Sequence, residues 1–324
     1  MANDKLLERI ERKLGIPGIV KLLAERLSPT DLQSILLEVY RRRAQRQSPA
    51  DVLSAYEMNR FVKPSAIDVI ALLEWEQIAF SQLPPEFEPV VLSPVSPLGS
   101  CSGIALVDQN RVLSTVRNTE VVADSTNVLA LECAVQRRIL LRANPKSKVP
   151  VHRAASHRLL RTQDYGDPQL LAHFSAFALC SAGQDAGNFR FELETLRLHM
   201  RFYLRALKTY FGTDVPLRLA VTDFHADDRA VLLREQLLSP IQNEYGDVEC
   251  AFEPERVSGR GYYVDLCFHI YALSPARQWL ELADGGVVNW TQRLLNNAKE
   301  RCVISGIGSE RICSEFRRQD SREG

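Results

Sequence analysis

The 324-residue sequence lacks any apolar run near the ~20 residues that a membrane-spanning helix needs, and its first thirty residues mix acids and bases throughout. That excludes a spanning helix and sets the expectation of a cytoplasmic protein without a signal peptide or anchor. Net charge is missing as well. Forty Lys+Arg balance forty Asp+Glu, so no field of one sign draws the whole chain to nucleic acid or to an acidic membrane. No CxxC occurs, and the seven cysteines are scattered singly from Cys101 to Cys313, the pattern of reduced, mostly buried thiols. The six histidines are equally dispersed; His152 and His157 stand five apart, but no cysteine pair completes a tetrahedral site, so no metal is expected. A GxxxxGK[ST] phosphate loop, a GxGxxG after an early strand, GxSxG and HExxH are all absent.

What is present begins with helix starts. Ser28-Pro29-Thr30-Asp31, Ser48-Pro49-Ala50-Asp51 and Ser65-Ala66-Ile67-Asp68 each offer a capping serine followed three residues later by an acid that suits the positive end of the helix dipole. Helices are expected from about residues 29, 49 and 66, the first ending in the basic run Arg41–Arg46. Residues 1–63 hold twelve Lys/Arg against eight Asp/Glu with no interleaved aromatics, so that run reads as a solvated helix end rather than an RNA patch.

Beyond Pro84-Pro85 the texture turns to strands and turns. Strands are expected at 88–92, 103–107, 155–181 as a pair, 217–222, 262–271, 278–282 and 302–305, and helices at 126–140, 188–210, 286–299 and after Gly306-Ile307-Gly308. Helices followed by antiparallel strand pairs indicate an α+β fold. Three segments follow: an N-terminal helical region over 1–65, a core over 66–316 and a polar tail over 317–324.

The order of weaker features resembles the class II aminoacyl-tRNA synthetase core, in particular the histidyl-tRNA synthetase group and its paralogue, the ATP phosphoribosyltransferase regulatory subunit. Ile67–Ser81, Pro84–Phe87, the strand at 88–92 and Pro94 are similar to motif 1, the family's dimer interface. Glu120–Val128 is similar to the segment whose acid binds the substrate amino group, which gives that role to Asp124 with Thr126 beside it. His157–Arg161 and His173–Leu179 resemble motif 2, and Arg158 falls where the family's ATP- and carboxylate-binding arginine lies. Tyr262-Tyr263, Gly285-Gly286 and Gly306-Ile307-Gly308-Ser309-Glu310-Arg311 follow the order of the family's tyrosine pair, glycine pair and motif 3. The resemblance therefore implies an antiparallel sheet flanked by helices, a homodimer, and ATP with Mg held by Arg158, Gly306, Gly308 and Arg311. Arg158 and Arg311 would be the catalytic groups of an ATP-dependent amino-acid-activating ligase, and Asp124, Thr126, Tyr262, Tyr263, Gly285 and Gly286 would bind its substrate.

The departures weaken that enzymatic reading. Leu160 stands where motif 2 has its adenine-holding glutamate, Ala172 where it has a second arginine, and Ser258 where the histidyl enzymes place an arginine, with Arg256 and Arg260 nearby. Adenylation needs positive groups and a divalent ion around the phosphates, and two arginines are a thin set. No anticodon-reading segment follows Arg311 in the sequence as it stands. The expectation is a divergent protein that binds an amino acid or related small ligand without charging tRNA, in a regulatory role toward a protein partner. A plain interaction module is the further alternative. His173 and His269, among apolar residues, read as core histidines, Tyr262 and Tyr263 as alternating faces of a strand, and Asp223, His225, Asp227 and Asp228 as a helix start rather than a metal loop.

Overall fold

The computed structural model describes residues 2–163, 172–212, 214–225 and 229–316. Four helices come first: α1 (Ala2–Leu14), α2 (Ile19–Glu25), α3 (Pro29–Ala44) and α4 (Pro49–Met58). Two expected caps form, Ser28 Oγ accepting from Asp31 N–H and Ser48 Oγ from Asp51 N–H, with Asp51 answering the Ser48 N–H. The third does not. Helix α5 (Val69–Ser81) starts later than expected because Asp68 caps it, its carboxylate accepting from Ile70 and Ala71, while Ser65 donates to Glu310 at 3.0 Å. Helices α2, α3 and α4 bury no residue, and Ile35, Val39, Val52 and Leu53 stay exposed.

Strand β1 (Phe87–Pro89) follows, then a small ribbon of β2 (Val95–Pro97) with β3 (Thr119–Val121), which encloses helix α6 (Ser100–Ile104). Next come α7 (Ser125–Ala143), the hairpin β4 (Val151–Leu160) and β5 (His173–Gln184), the long α8 (Arg190–Phe211) and β6 (Leu217–Asp223). Helices α9 (Ala230–Leu233) and α10 (Ser239–Glu244) flank a π-turn and lead to β7 (Glu249–Phe252). The chain closes with β8 (Leu266–Leu273), β9 (Trp279–Val288), α11 (Trp290–Leu295), β10 (Glu300–Gly308) and α12 (Ser309–Glu315).

Among the described residues, eight strands form one sheet in the order β1-β4-β5-β10-β9-β8-β6-β7. The expected antiparallel pairing holds through its middle, and only the edge pairs β1/β4 and β6/β7 are parallel. Both faces of the central strands are covered, so β5 reads as a nearly continuous apolar run. Strand alternation divides it: Phe177 and Leu179 join Trp75, Leu196 and Met200 under α5 and α8, whereas Ala178 and Cys180 join Leu129, Cys133 and Cys302 under α7. An ion pair fixes α7 to β10: Arg137 and Glu300 are both fully buried, 2.8 Å apart. All seven thiols are free, and only Cys250 is not buried.

Three local expectations are corrected. The run 103–107 is not a strand, because it carries the end of α6, a helix whose start is held by the buried Glu120 carboxylate, which accepts from the Gly99 and Cys101 N–H groups at 2.7 and 2.8 Å. A short apolar run does not by itself separate helix from strand. The helix expected over 286–299 shrinks to α11, since β9 runs on through the glycine pair to Val288. Tyr262 and Tyr263 precede β8 and do not alternate on a strand; they close a turn whose glycines, Gly259 and Gly261, sit at φ near +88° and +87°. Tyr262 and Tyr263 both donate their N–H to the Gly259 carbonyl.

Candidate functional site

A cleft of about 1450 Å³ opens where the start of α7, the end of β4, the start of β5, the middle of β9 and the end of β10 meet. Asp124 stands at its wall as the N-cap of α7: Oδ1 accepts from the Thr126 N–H and hydroxyl at 2.9 and 2.7 Å, and Oδ2 accepts from the Tyr262 hydroxyl at 3.1 Å. Capping and an orientation toward the cleft therefore coexist in one carboxylate. Tyr263 donates to Asp284 Oδ2 at 2.6 Å, and the two tyrosine rings stand perpendicular, 5.0 Å apart. Arg161 reaches to 3.9 Å from Asp124 Oδ2, donates to the Ala123 carbonyl, and lies over the Phe174 ring.

Motif 2 parity decides which arginine faces this group. Arg158 is paired across the hairpin with Ser175 and points to the α5/α12 side, while Leu159 and Arg161 share the other face with α7. Arg158 is ion-paired to Glu310 at 2.9 Å, donates through Nε to His173 Nδ1, and also reaches Ser175 Oγ at 3.3 Å. Arg311 is exposed and donates to the Glu281 carbonyl. The segment 60–68 closes this side. Arg60 donates to the carbonyls of Thr162 and Gln163, His173 Nε2 donates to the Lys63 carbonyl, and Ser65 bonds Glu310.

No protein-family model and no curated protein sequence matches the chain, but solved structures do. Histidyl-tRNA synthetase from S. aureus is similar with a TM-score of 0.53 at 12% identity, over 75% of this chain and 64% of that one. The ATP phosphoribosyltransferase regulatory subunit/histidyl-tRNA synthetase from Bacillus halodurans gives 0.57 at 12%, over 79% and 83%. The RNA binding domain of threonyl-tRNA synthetase from Cryptosporidium parvum gives 0.54 at 11%, over 76% and 63%. The chain has a class II synthetase-like fold. It spans less than two thirds of the S. aureus and C. parvum chains.

Within the class II-like core, Asp124, Thr126, Tyr262, Tyr263, Gly306, Gly308 and Arg311 all line the cleft, while Arg158 stands behind Glu310. Gly285 and Gly286 are not on the wall. A Cβ at Gly285 would meet Ser305 Cβ at 2.4 Å, and one at Gly286 would meet the Leu266 carbonyl at 2.4 Å and Tyr263 Cδ1 at 2.6 Å. Gly286→Ala should therefore displace Tyr263 and cost about 1–3 kcal/mol in urea unfolding, with a loss under a few tenths contradicting the packing role.

Sequence reading missed Arg161, Asp284, Glu281 and Glu310. Desolvation pushes the Asp284 carboxyl up to about 6, with Glu281 and Asp124 adding to the rise against the Tyr263 hydrogen bond and Arg161. A carboxyl raised in the folded state supplies stability below its unfolded value, near 4, and loses it as pH rises through about 6. Asp284→Asn should raise the stability at pH 7.5 by on the order of 2 kcal/mol and change it little at pH 4. Equal effects at both pH values, read by thermal melting against wild type, contradict the assignment.

The histidines also converge where sequence showed dispersion. His152 Nδ1 shares a hydrogen bond with Ser181 Oγ, Ser181 with His199 Nε2, and His199 Nδ1 with Ser305, at 2.7, 2.8 and 2.7 Å. Burial lowers the pKa of His152 and His199. His173 is half-buried and polar-bonded, not a core residue, whereas His269 is buried as expected and is pushed down to about 4 by burial. Asp223 is taken by an ion pair to Arg229, and Asp227 and Asp228 lie outside the described residues.

Proposed function

We propose that this chain is a divergent class II synthetase-like protein that binds a small amine-bearing ligand, an amino acid or close relative, without charging tRNA. The observation that carries this reading is the pairing of Asp124 with Tyr262 at the cleft wall, an acceptor set of carboxylate and hydroxyl oxygen suited to an ammonium group. Charge supports it. Among the described residues, six acids and three arginines line the cleft, a balance that attracts a cation.

The same balance fits ATP poorly. Of the arginines the resemblance assigns to the nucleotide, Arg158 is neutralised by Glu310 and shielded by His173 and Ser175, and Arg311 points its guanidinium at a backbone carbonyl. A triphosphate brought beside Glu310, Glu281 and Asp284 would meet like charge on three sides.

A regulatory role toward a protein partner suits a cleft of this kind, and one structural neighbour is itself named a regulatory subunit. The helices of residues 1–65, with apolar side chains left exposed, would be the docking module, and α5 with β1 would form the homodimer contact of the class II-like core. Titration calorimetry with the twenty amino acids and simple amines at pH 7.5 tests the ligand claim. Saturable binding of at least one ammonium-bearing compound is expected; heat from none of them contradicts it.

A further inference from the structure

The cleft offers more acceptors than a single ammonium group needs. Two acid–hydroxyl pairs stand side by side on one wall, Asp124 with Tyr262 and Asp284 with Tyr263, their rings 5.0 Å apart. In each pair the tyrosine donates to the acid, which leaves acceptor capacity on hydroxyl and carboxylate oxygens of residues that line the cleft. Asp284 is paired across the sheet with Gly306, which also lines the cleft and whose bare backbone leaves room over the carboxylate: a Cβ there would come no closer than 3.9 Å to any neighbour.

A separate observation points to a ligand rich in N–H donors. Asn127 lines the same cleft with only 1% of its surface exposed; its Nδ2 donates to Cys101 Sγ, and its Oδ1 is buried with no hydrogen-bond partner among the described residues. Leaving such an acceptor unmet is costly, and a donor arriving with a ligand removes the cost. Against these acceptors stands Arg161, which is nearest to Asp124 and also committed to the Ala123 carbonyl and the Phe174 ring. One guanidinium for two carboxylates leaves the Asp284 side in need of positive charge.

We infer that the ligand carries two ammonium groups on a short spacer, as in a diamine or a diamino acid, one held by Asp124 and Tyr262 and the second by Asp284 and Tyr263. This rests on the reading of the cleft as an ammonium site and adds its second subsite. The chemistry shared by the two ligand classes is the paired ammonium; a carboxylate on the ligand is what separates them.

Matched probes test it by calorimetry on the full chain at pH 7.5: ornithine against norvaline, and putrescine against butylamine, each pair sharing a skeleton and differing by one amine. At least one member with two ammonium groups should bind tenfold or more tighter than its partner, and the preference should fall to near unity in Asp284→Asn. Tighter ornithine marks a diamino acid, and tighter putrescine a diamine. Equal affinities within both pairs in the wild-type chain overturn the inference while the single-ammonium site stands, a result that needs no variant to fold. Binding of none of the four also overturns the inference, and the ammonium site itself falls only when the twenty amino acids and simple amines fail to bind as well. A preference that persists unchanged in a folded Asp284→Asn assigns the second group elsewhere and also overturns the inference.

Discussion

Arg137→Met should lower the unfolding free energy by about 3–5 kcal/mol, the largest single-site loss expected away from the cleft. Arg137 and Glu300 are both completely buried, and the guanidinium meets the carboxylate through Nε and Nη2 at 2.9 and 2.8 Å. Its remaining donors satisfy the carbonyls of Val149 and Ser147. Methionine strands a carboxylate and two carbonyls in the interior together, where an unmet charge costs far more than the intact pair contributes. The double variant Arg137→Met/Glu300→Leu should recover much of the loss, because apolar replacement of a whole buried pair is close to neutral. Urea unfolding of both variants checks this; a single-variant loss below about 1 kcal/mol contradicts the account of how α7 is tied to β10.

The second large effect is on binding. Asp124→Asn should weaken the affinity for an ammonium-bearing ligand by roughly 30- to 100-fold, the worth of one charge-assisted contact in a desolvated cleft. Asparagine caps a helix about as well as aspartate, so the bond to Thr126 survives and the melting temperature should hardly move. The two roles of this residue separate in that variant. Retained affinity with retained stability makes Asp124 a cap only, and lost affinity with retained stability makes it the ammonium acceptor.

Much of this was legible from the residues. The long helices α7 and α8, the β4/β5 hairpin and the β10-to-α12 turn follow from periodicity and turn chemistry, and the order of blocks resembled the class II core that the structure has. Asp124, Tyr262, Tyr263 and Arg311 come to one cleft although up to 187 positions separate them in sequence. What stayed hidden has physical reasons. Arg158 and Arg161 differ by an odd number of positions on one strand, so choosing the first instead of the second reverses the face, and only the hairpin register settles which faces α7.

The glycine pair stood between a strand expected to end at 282 and a helix expected from 286, yet Gly285 and Gly286 lie mid-strand, where Ser305, Phe268, Tyr263 and two backbone carbonyls press too close for any side chain. Asp284 gave no signal of its own; its environment comes from Tyr263 and from strands that are remote in sequence. The same holds for His152, Ser181, His199 and Ser305, whose chain of hydrogen bonds exists only once β4, β5, α8 and β10 have assembled.

The zero net charge with which the sequence presents itself is a sum of unlike parts. Residues 1–63 carry twelve Lys/Arg against eight Asp/Glu, which leaves the remainder of the chain with twenty-eight against thirty-two. The acidic excess therefore belongs to the part that contains the cleft, and the cleft concentrates it. An acidic cleft favours a cation over a polyphosphate, in keeping with the proposed ligand class.

Thermal melting of the wild-type chain at pH 7.5, with a panel of amino acids and amines in one arm and ATP with magnesium in the other, tests the central claim most directly. A ligand that binds only the folded state raises the melting temperature, and the rise continues with the logarithm of its concentration once the site is filled. The account predicts a concentration-dependent rise with one or more ammonium-bearing compounds and none with ATP and magnesium. A rise with ATP and magnesium, and no response to any amine or amino acid, would contradict it.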